Sequence, residues 1–227
     1  MSRRRRRGQR ALRVLISAGP TREPIDPVRF LSNYSTGVMG SRLAAEALLR
    51  GHRVTVVYGP ATEALPRGAR CVSVERSVQM ARAMRRYAPR ADVVIMAAAV
   101  SDFRPAQRRR TKITRRGQMT LRLCATPDIL GSLPRRPRQV VVGFALESAR
   151  VAQRARRKLF GKHLDLLLAQ QVSPARSPFG RRAVRAWLLD RSGQVTRLGV
   201  VSKSLVARAL LDKIEALWYG QPRPQHP

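Results

Sequence analysis

Acidic residues are scarce in this chain. Its 227 residues include 13 Asp and Glu against 46 Lys and Arg, a formal charge of +33. Lysine is scarce too: it stands only at 112, 158, 162, 203 and 213, so 41 of the 46 basic residues are arginine. Net charge bears on solubility and non-specific partners rather than on fold. It admits two readings: binding of nucleic acid or another polyanion, or a surface filled with arginine by codon bias. The basic residues are spread along the whole chain, and aromatics, at 5%, are too few for a base-stacking surface. Two cysteines, Cys71 and Cys124, exclude a disulfide framework and read as half-buried small apolar residues. They point to a reduced, cytoplasmic setting. No apolar run approaches the ~20 residues of a membrane helix. The basic start, residues 3–7, is followed by no secretory core, because Val14-Leu15-Ile16 breaks at Gly19-Pro20. His52, His163 and His226 have no metal-ligand spacing with one another or with a cysteine. No G-x-S-x-G elbow is present.

What is there is an ordinary globular composition, 44% hydrophobic and 26% charged. The length suits one large domain or two small ones. We expect a basic disordered arm over 1–10, a single domain over 11–218 and a disordered Pro-rich tail over 219–227. Within the domain, strands and helices alternate. Residues 12–17, 53–58, 92–98, 139–144 and 164–169 read as strands, and the third of these is apolar throughout, as a parallel strand buried on both faces should be. Met39, Leu43, Ala44, Ala47 and Leu48 recur at helical spacing, with Gly51 as the stop. Further helices are expected at 77–87, from Pro127 with Thr126 as its N-cap, at 148–159, and from Ser202 to about 217. Residues 183–189 and 194–198 flank the turn signal Asp190-Arg191-Ser192-Gly193. The pattern implies a mostly parallel sheet with helices on both faces. Met119 to Leu123 alternates like a strand and, with Thr111 to Ile113, is expected to form a projecting ribbon.

In such a sheet the ligand crevice lies beyond the carboxyl ends of the strands. That rule points to the loops 18–40, 59–67, 97–126 and the one after Phe144, two of which are unusually long. The first contains Ser35-Thr36-Gly37-Val38-Met39-Gly40, a turn opening onto a helix, which reads either as an anion cradle or as a plain tight turn. It is neither a dinucleotide fingerprint nor a P-loop. Arg22 and Arg29 flank it and suit bidentate anion binding. Glu23 and Asp26 stand beside them in a chain poor in acids. Asp102 follows the run Met96-Ala97-Ala98-Ala99-Val100-Ser101 at the crevice mouth, as a ligand-facing or a turn residue. Among so many arginines, Lys112, Lys158 and Lys162 mark positions that need a compact ammonium. Lys158 and Lys162 share a helix face and repel unless an anion lies between them.

The segment Ala18-Gly19-Pro20-Thr21-Arg22-Glu23-Pro24-Ile25-Asp26-Pro27-Val28-Arg29, with Ser32-Asn33, Gly37 and Gly40 after it, and the segment Ala97-Ala98-Ala99-Val100-Ser101-Asp102-Phe103-Arg104-Pro105 closely resemble the phosphopantothenate–cysteine ligase family. This is the synthetase half of the bacterial coenzyme A biosynthesis flavoproteins. The resemblance runs from about residue 12 to 214. It implies a Rossmann-like α/β fold, a cytoplasmic homodimer with shared active sites and no flavin in this chain. It implies that CTP with Mg²⁺ activates 4′-phosphopantothenate as an acyl-cytidylate, which L-cysteine then attacks, giving phosphopantothenoylcysteine and CMP after release of pyrophosphate. A separate protein would supply decarboxylation.

Roles are implied residue by residue. Asn33, Lys112 and Arg29 are the catalytic positions, Arg29 reaching the neighbouring subunit's site and Lys112 heading a K-x-K-K motif. Ala98, Ala99 and Asp102 surround phosphopantothenate. Gly19, Ser35, Gly37, Gly40, Met96, Ala97, Pro127, Asp128, Ile129, Leu130, Phe144, Lys158, Lys162 and Gln170 match nucleotide positions. Three departures stand out: Val38 where the family usually has lysine, Thr114 at the third motif position, and Gln170 where an asparagine helps hold base or ribose, which opens the choice between CTP and ATP. The competing reading is a catalytically weakened basic domain that binds nucleic acid. A phosphopantothenoylcysteine decarboxylase finds no flavin site or motif here.

Overall fold

The computed structural model describes residues 9–115, 117–174 and 177–220. Most of the expected arm and tail lies outside these residues. The chain begins with β1 (Arg13–Ala18), two short strands β2 (Arg22–Pro24) and β3 (Phe30–Ser32), and helix α1 (Val38–Leu49). Then come β4 (Arg53–Tyr58), β5 (Arg70–Ser73), α2 (Ser77–Tyr87) and β6 (Val93–Met96). Two more short strands, β7 (Phe103–Pro105) and β8 (Leu123–Ala125), precede β9 (Val140–Glu147), α3 (Val151–Gly161) and β10 (Leu166–Gln171). The hairpin β11 (Val184–Asp190) and β12 (Val195–Val201) leads into α4 (Lys203–Gly220).

Eight strands form one sheet in the order β12-β11-β10-β9-β6-β1-β4-β5. From β5 to β10 every pairing is parallel, while β10, β11 and β12 pair antiparallel. The six parallel strands follow the doubly wound order, so the fold is Rossmann-like. Along each central strand the side chains alternate between two cores. Val14, Ile16, Val93, Ile95, Val140 and Val142 face α1 and α4. Leu15, Val94, Val141 and Leu167 face α2 and α3. Because both faces are covered, these strands read as continuous apolar runs. On the first face, the fully buried Arg50 ties α1 to α4 through Glu46 at 2.8 Å, Asp212 at 2.8 Å and Glu215 at 3.0 Å. No helix among the described residues is long and apolar enough to cross a membrane.

Several expectations need correction. No helix starts at Pro127: residues 129–132 form a turn, and the Thr126 hydroxyl donates to the Ser101 carbonyl at 2.6 Å instead of capping. A two-stranded ribbon exists, but both strands differ from those expected: β7 pairs with β8 at Leu123–Ala125, and neither Thr111 to Ile113 nor Met119 to Arg122 forms a strand. The β2–β3 hairpin and the edge strand β5 were not anticipated, because three- and four-residue strands are too short to show periodicity. Arg10 is not part of a loose arm: it pairs with Asp92 at 2.9 Å and lies over the Trp218 ring. Tyr219 and Gly220 belong to α4 rather than to the tail. Cys71 is exposed; only Cys124 is half-buried.

Candidate functional site

The chain turns one way from β1 through α1 to β4, whereas β6 lies on the other side of β1. Loops leaving β1 and β6 therefore diverge, and a crevice opens between them. Its floor is stitched by backbone. Ala99 N–H donates to the Gly19 carbonyl at 2.9 Å, Thr21 N–H returns to the Ala99 carbonyl at 3.3 Å, and Ala98 N–H reaches the buried Ser17 hydroxyl at 3.1 Å. The resulting cleft has a volume of about 570 Å³.

Most of the expected site residues line it. Asn33, Ser35 and Gly37 come from the loop before α1. Met96, Ala97, Ala98, Ala99 and Asp102 come from the end of β6. Pro127, Asp128, Ile129 and Leu130 form the turn after β8, and Phe144, Lys158, Lys162 and Gln170 close the far wall. The Asn33 amide donates to the Ala99 carbonyl at 2.9 Å, which fixes it over the stitched floor. Gly37 adopts φ +84° and opens α1 without any side-chain cap, leaving the first N–H groups of the helix to the cleft. Such a helix start favours an anion.

Each of the two lysines has a partner on the chain. Lys158 donates to the Phe144 carbonyl at 2.7 Å, and Lys162, just past the end of α3, pairs with Asp128. Desolvation lowers the Lys158 pKa; Asp102 and Glu147 oppose this, and the Lys162 charge adds to it. Burial would raise the Asp128 carboxyl, but the Lys162 bond, the Gly131 N–H and the Lys158 charge bring it down. Gln170 is 5% exposed and its Nε2 has no partner among the described residues.

Four expected residues do not line the cleft. Gly19, at φ +73°, lets the β1 loop pass within contact of Gly59 and Ala61. Gly40 lets α1 press against Ala18, where an added Cβ would come within 2.4 Å of the Ala18 Cβ. Lys112 lines a second pocket, whose charged lining residues, with Arg109 and Arg122, are all basic. Arg29 is held by Asp26 at 2.6 Å and donates to the Ile113 carbonyl at 2.6 Å. Arg22 lies over the Phe30 ring, and buried Glu23 accepts from Ser77 N–H at 2.7 Å at the start of α2. These two are therefore structural.

Asp26 fastens the 97–126 loop to the β2–β3 hairpin. Burial favours its protonated form, but N–H groups of Ile113, Val28 and Arg29 and the Arg29 guanidinium outweigh it and hold the carboxyl well below the usual carboxylate range. Its contribution to stability is present above the unfolded value of 3.8 and is lost as pH falls toward the depressed folded value. Asp26→Asn is expected to lower the melting temperature at neutral pH and to flatten the acid limb of the stability profile. An unchanged profile would show that Asp26 holds nothing.

Sequence reading missed Phe179 and Lys203, which also line the cleft. Phe179 meets the exposed Tyr34 ring at 6.3 Å between centroids. No motif marks it. Lys203 was visible as one of only five lysines.

Comparison with known proteins agrees with this geometry. The model of the DNA/pantothenate metabolism flavoprotein C-terminal domain matches residues 9–217. The chain is 39% identical over 207 residues to the coenzyme A biosynthesis bifunctional protein CoaBC of Bacillus subtilis (strain 168), covering 90% of this chain and 51% of that protein. It is 37% identical over 209 residues to a cysteine/cysteine sulfinic acid decarboxylase of an unknown prokaryotic organism, covering 90% of this chain and 58% of that protein. The chain thus spans about half the length of the curated relatives it matches. The crystal structure of the C-terminal domain of a coenzyme A biosynthesis bifunctional protein CoaBC superposes with a TM-score of 0.78 at 33% identity, over 92% of this chain and 97% of that one.

Proposed function

Since the chain belongs to the DNA/pantothenate metabolism flavoprotein C-terminal domain family, we propose that it is a phosphopantothenate–cysteine ligase of coenzyme A biosynthesis, acting in the cytoplasm. In this reading the carboxylate of 4′-phosphopantothenate attacks the α-phosphorus of CTP and pyrophosphate leaves. The amine of L-cysteine then attacks the acyl carbon of the acyl-cytidylate and CMP leaves. The observation that carries the reading is the convergence in one cleft of an uncapped helix start, the Asn33 amide, and Lys158 and Lys162.

Each group has a physical task. N–H groups at the start of α1 receive phosphate oxygens, where charge grows as pyrophosphate departs. Lys158 and Lys162 neutralise further charge. Gln170 offers its free amide to base or ribose. Asn33, held by Ala99, hydrogen-bonds the acyl group without protonating it. Binding both reactants in one crevice supplies proximity. No cluster of three His, Cys, Asp or Glu side chains suited to a metal ion occurs among the described residues. Magnesium is therefore assigned to the nucleotide's phosphates rather than to a protein cage.

Lys112 and Arg29 stand away from the cleft of their own chain. A homodimer in which each chain lends them to its partner's cleft gives both a role. Exposed Val28, Phe30, Phe103 and Leu123 on the two hairpins supply apolar surface for it.

The test is direct. Protein stripped of nucleic acid is incubated with 4′-phosphopantothenate, L-cysteine, Mg²⁺ and either CTP or ATP, and products are read by mass spectrometry. Phosphopantothenoylcysteine with CMP is expected. Product with AMP alone would keep the ligase and replace CTP, pointing to Gln170. No product with either nucleotide from a folded dimer would overturn the reading.

A further inference from the structure

One lysine in the cleft has no task in this mechanism. Lys203 is the first residue of α4, is 6% exposed, and donates from Nζ to the Gly180 carbonyl at 2.6 Å. A neutral carbonyl leaves most of the charge unmet, and a buried, unpaired ammonium is costly. The carboxylate that acts on it, Glu63, is taken by Arg42 at 3.5 Å and Arg181 at 3.2 Å. Desolvation outweighs Glu63 and pushes the Lys203 pKa down to about 8. At neutral pH the group is still largely protonated, so the cleft holds a cation in want of an anion.

Two independent features give that anion a chemistry. Gln170 Nε2, in the same cleft, is a buried donor with no acceptor. The start of α1 adds donors only, and its first turn, Val38-Met39-Gly40, brings no side-chain charge. Thr36, next to that turn, accepts from Glu63 N–H at 3.1 Å, which places the neighbourhood of Lys203 beside it. A site built of donors and cations calls for a ligand of acceptors and negative charge, and a polyphosphate presents both.

We propose that Lys203 is a polyphosphate-binding residue of this cleft, its Nζ contacting the phosphate chain of the nucleoside triphosphate whose other end meets the start of α1. This rests on the ligase reading for the identity of the nucleotide, but the contact itself is tested without turnover.

The probe is inorganic tripolyphosphate, titrated calorimetrically into wild type and Lys203→Gln. Glutamine keeps an N–H donor for the Gly180 carbonyl and removes only the charge. Affinity is expected to fall at least about tenfold, ~1.4 kcal/mol. Equal affinity in folded Lys203→Gln would overturn the proposal and leave Lys203 as a strut for the 177–182 loop. In the ligase assay the KM for nucleotide should rise while that for 4′-phosphopantothenate holds; a rise confined to 4′-phosphopantothenate would overturn the nucleotide assignment. A second measurement needs no change at Lys203. With five lysines in the chain, ¹³C-labelled side chains are resolvable by NMR; the Lys203 signal is assigned as the one missing from the Lys203→Gln spectrum, and the titration itself is read in the wild-type chain. Tripolyphosphate should raise the Lys203 titration midpoint above about 8, and an unmoved midpoint at saturating probe would sink the contact, whether or not the ligase turns over.

Discussion

Asn33→Ala is expected to leave nucleotide-dependent pyrophosphate release in place while phosphopantothenoylcysteine formation falls about 100- to 1,000-fold, the loss typical when a donor to a developing oxyanion is removed. The split follows from geometry. In the proposed reading the α1 start, Lys158 and Lys162 serve the phosphate groups, and the hydrogen bonds of the two lysines go to Phe144 and Asp128 rather than to Asn33. Asn33 instead lies over the Ala99 carbonyl, at the junction of the β1 and β6 loops. Rapid-quench separation of acyl-nucleotide from final product measures the two steps. Product at the wild-type rate would remove Asn33 from the second step; loss of pyrophosphate release as well would move it into the first.

Gly59→Ala is expected to cost about 4 kcal/mol or more, among the largest effects of a single substitution. An added Cβ would stand 1.6 Å from the Pro20 carbonyl oxygen, inside any contact distance. Neither side can yield cheaply. Gly59 N–H donates to the Ala18 carbonyl at 3.0 Å, and Pro20 bridges to Ala99. The strain therefore falls on the stitched floor of the cleft. For a domain of this size the melting temperature should drop by about 8–16 °C. A melting temperature within about 2 °C of wild type would mean that the β1 loop moves freely and that the floor is not rigid.

The parallel sheet was legible because its strands obey one rule. The interior strands β1, β6, β9 and β10 are covered on both faces and must be largely apolar, and runs such as Val93–Met96 and Leu166–Ala169 show it without tertiary information. The hairpin turn was legible for a local reason as well: Asp190 Oδ1 accepts from Ser192 N–H at 3.0 Å and Gly193 takes φ +81°. Thr126 misled because a Thr-Pro pair suits a helix start locally. The Thr126 hydroxyl is drawn instead to Ser101 on a neighbouring loop, a partner 25 residues away.

Side-chain types and their local order were enough to establish an α/β sheet, to direct attention to its carboxyl-end loops and to mark Lys158 and Lys162, because period, capping and residue chemistry act over a few neighbours. Which of the marked residues meet is a different kind of fact. Lys162 finds Asp128 across 34 residues, Arg29 turns to Ile113 across 84, and Lys203 arrives beneath Gly180 from the last helix. Those meetings depend on where the sheet reverses its winding and on how the two faces pack, and no short stretch of chain contains that information. The folded arrangement therefore separates Arg29 and Lys112 from the cleft and brings Lys203 into it.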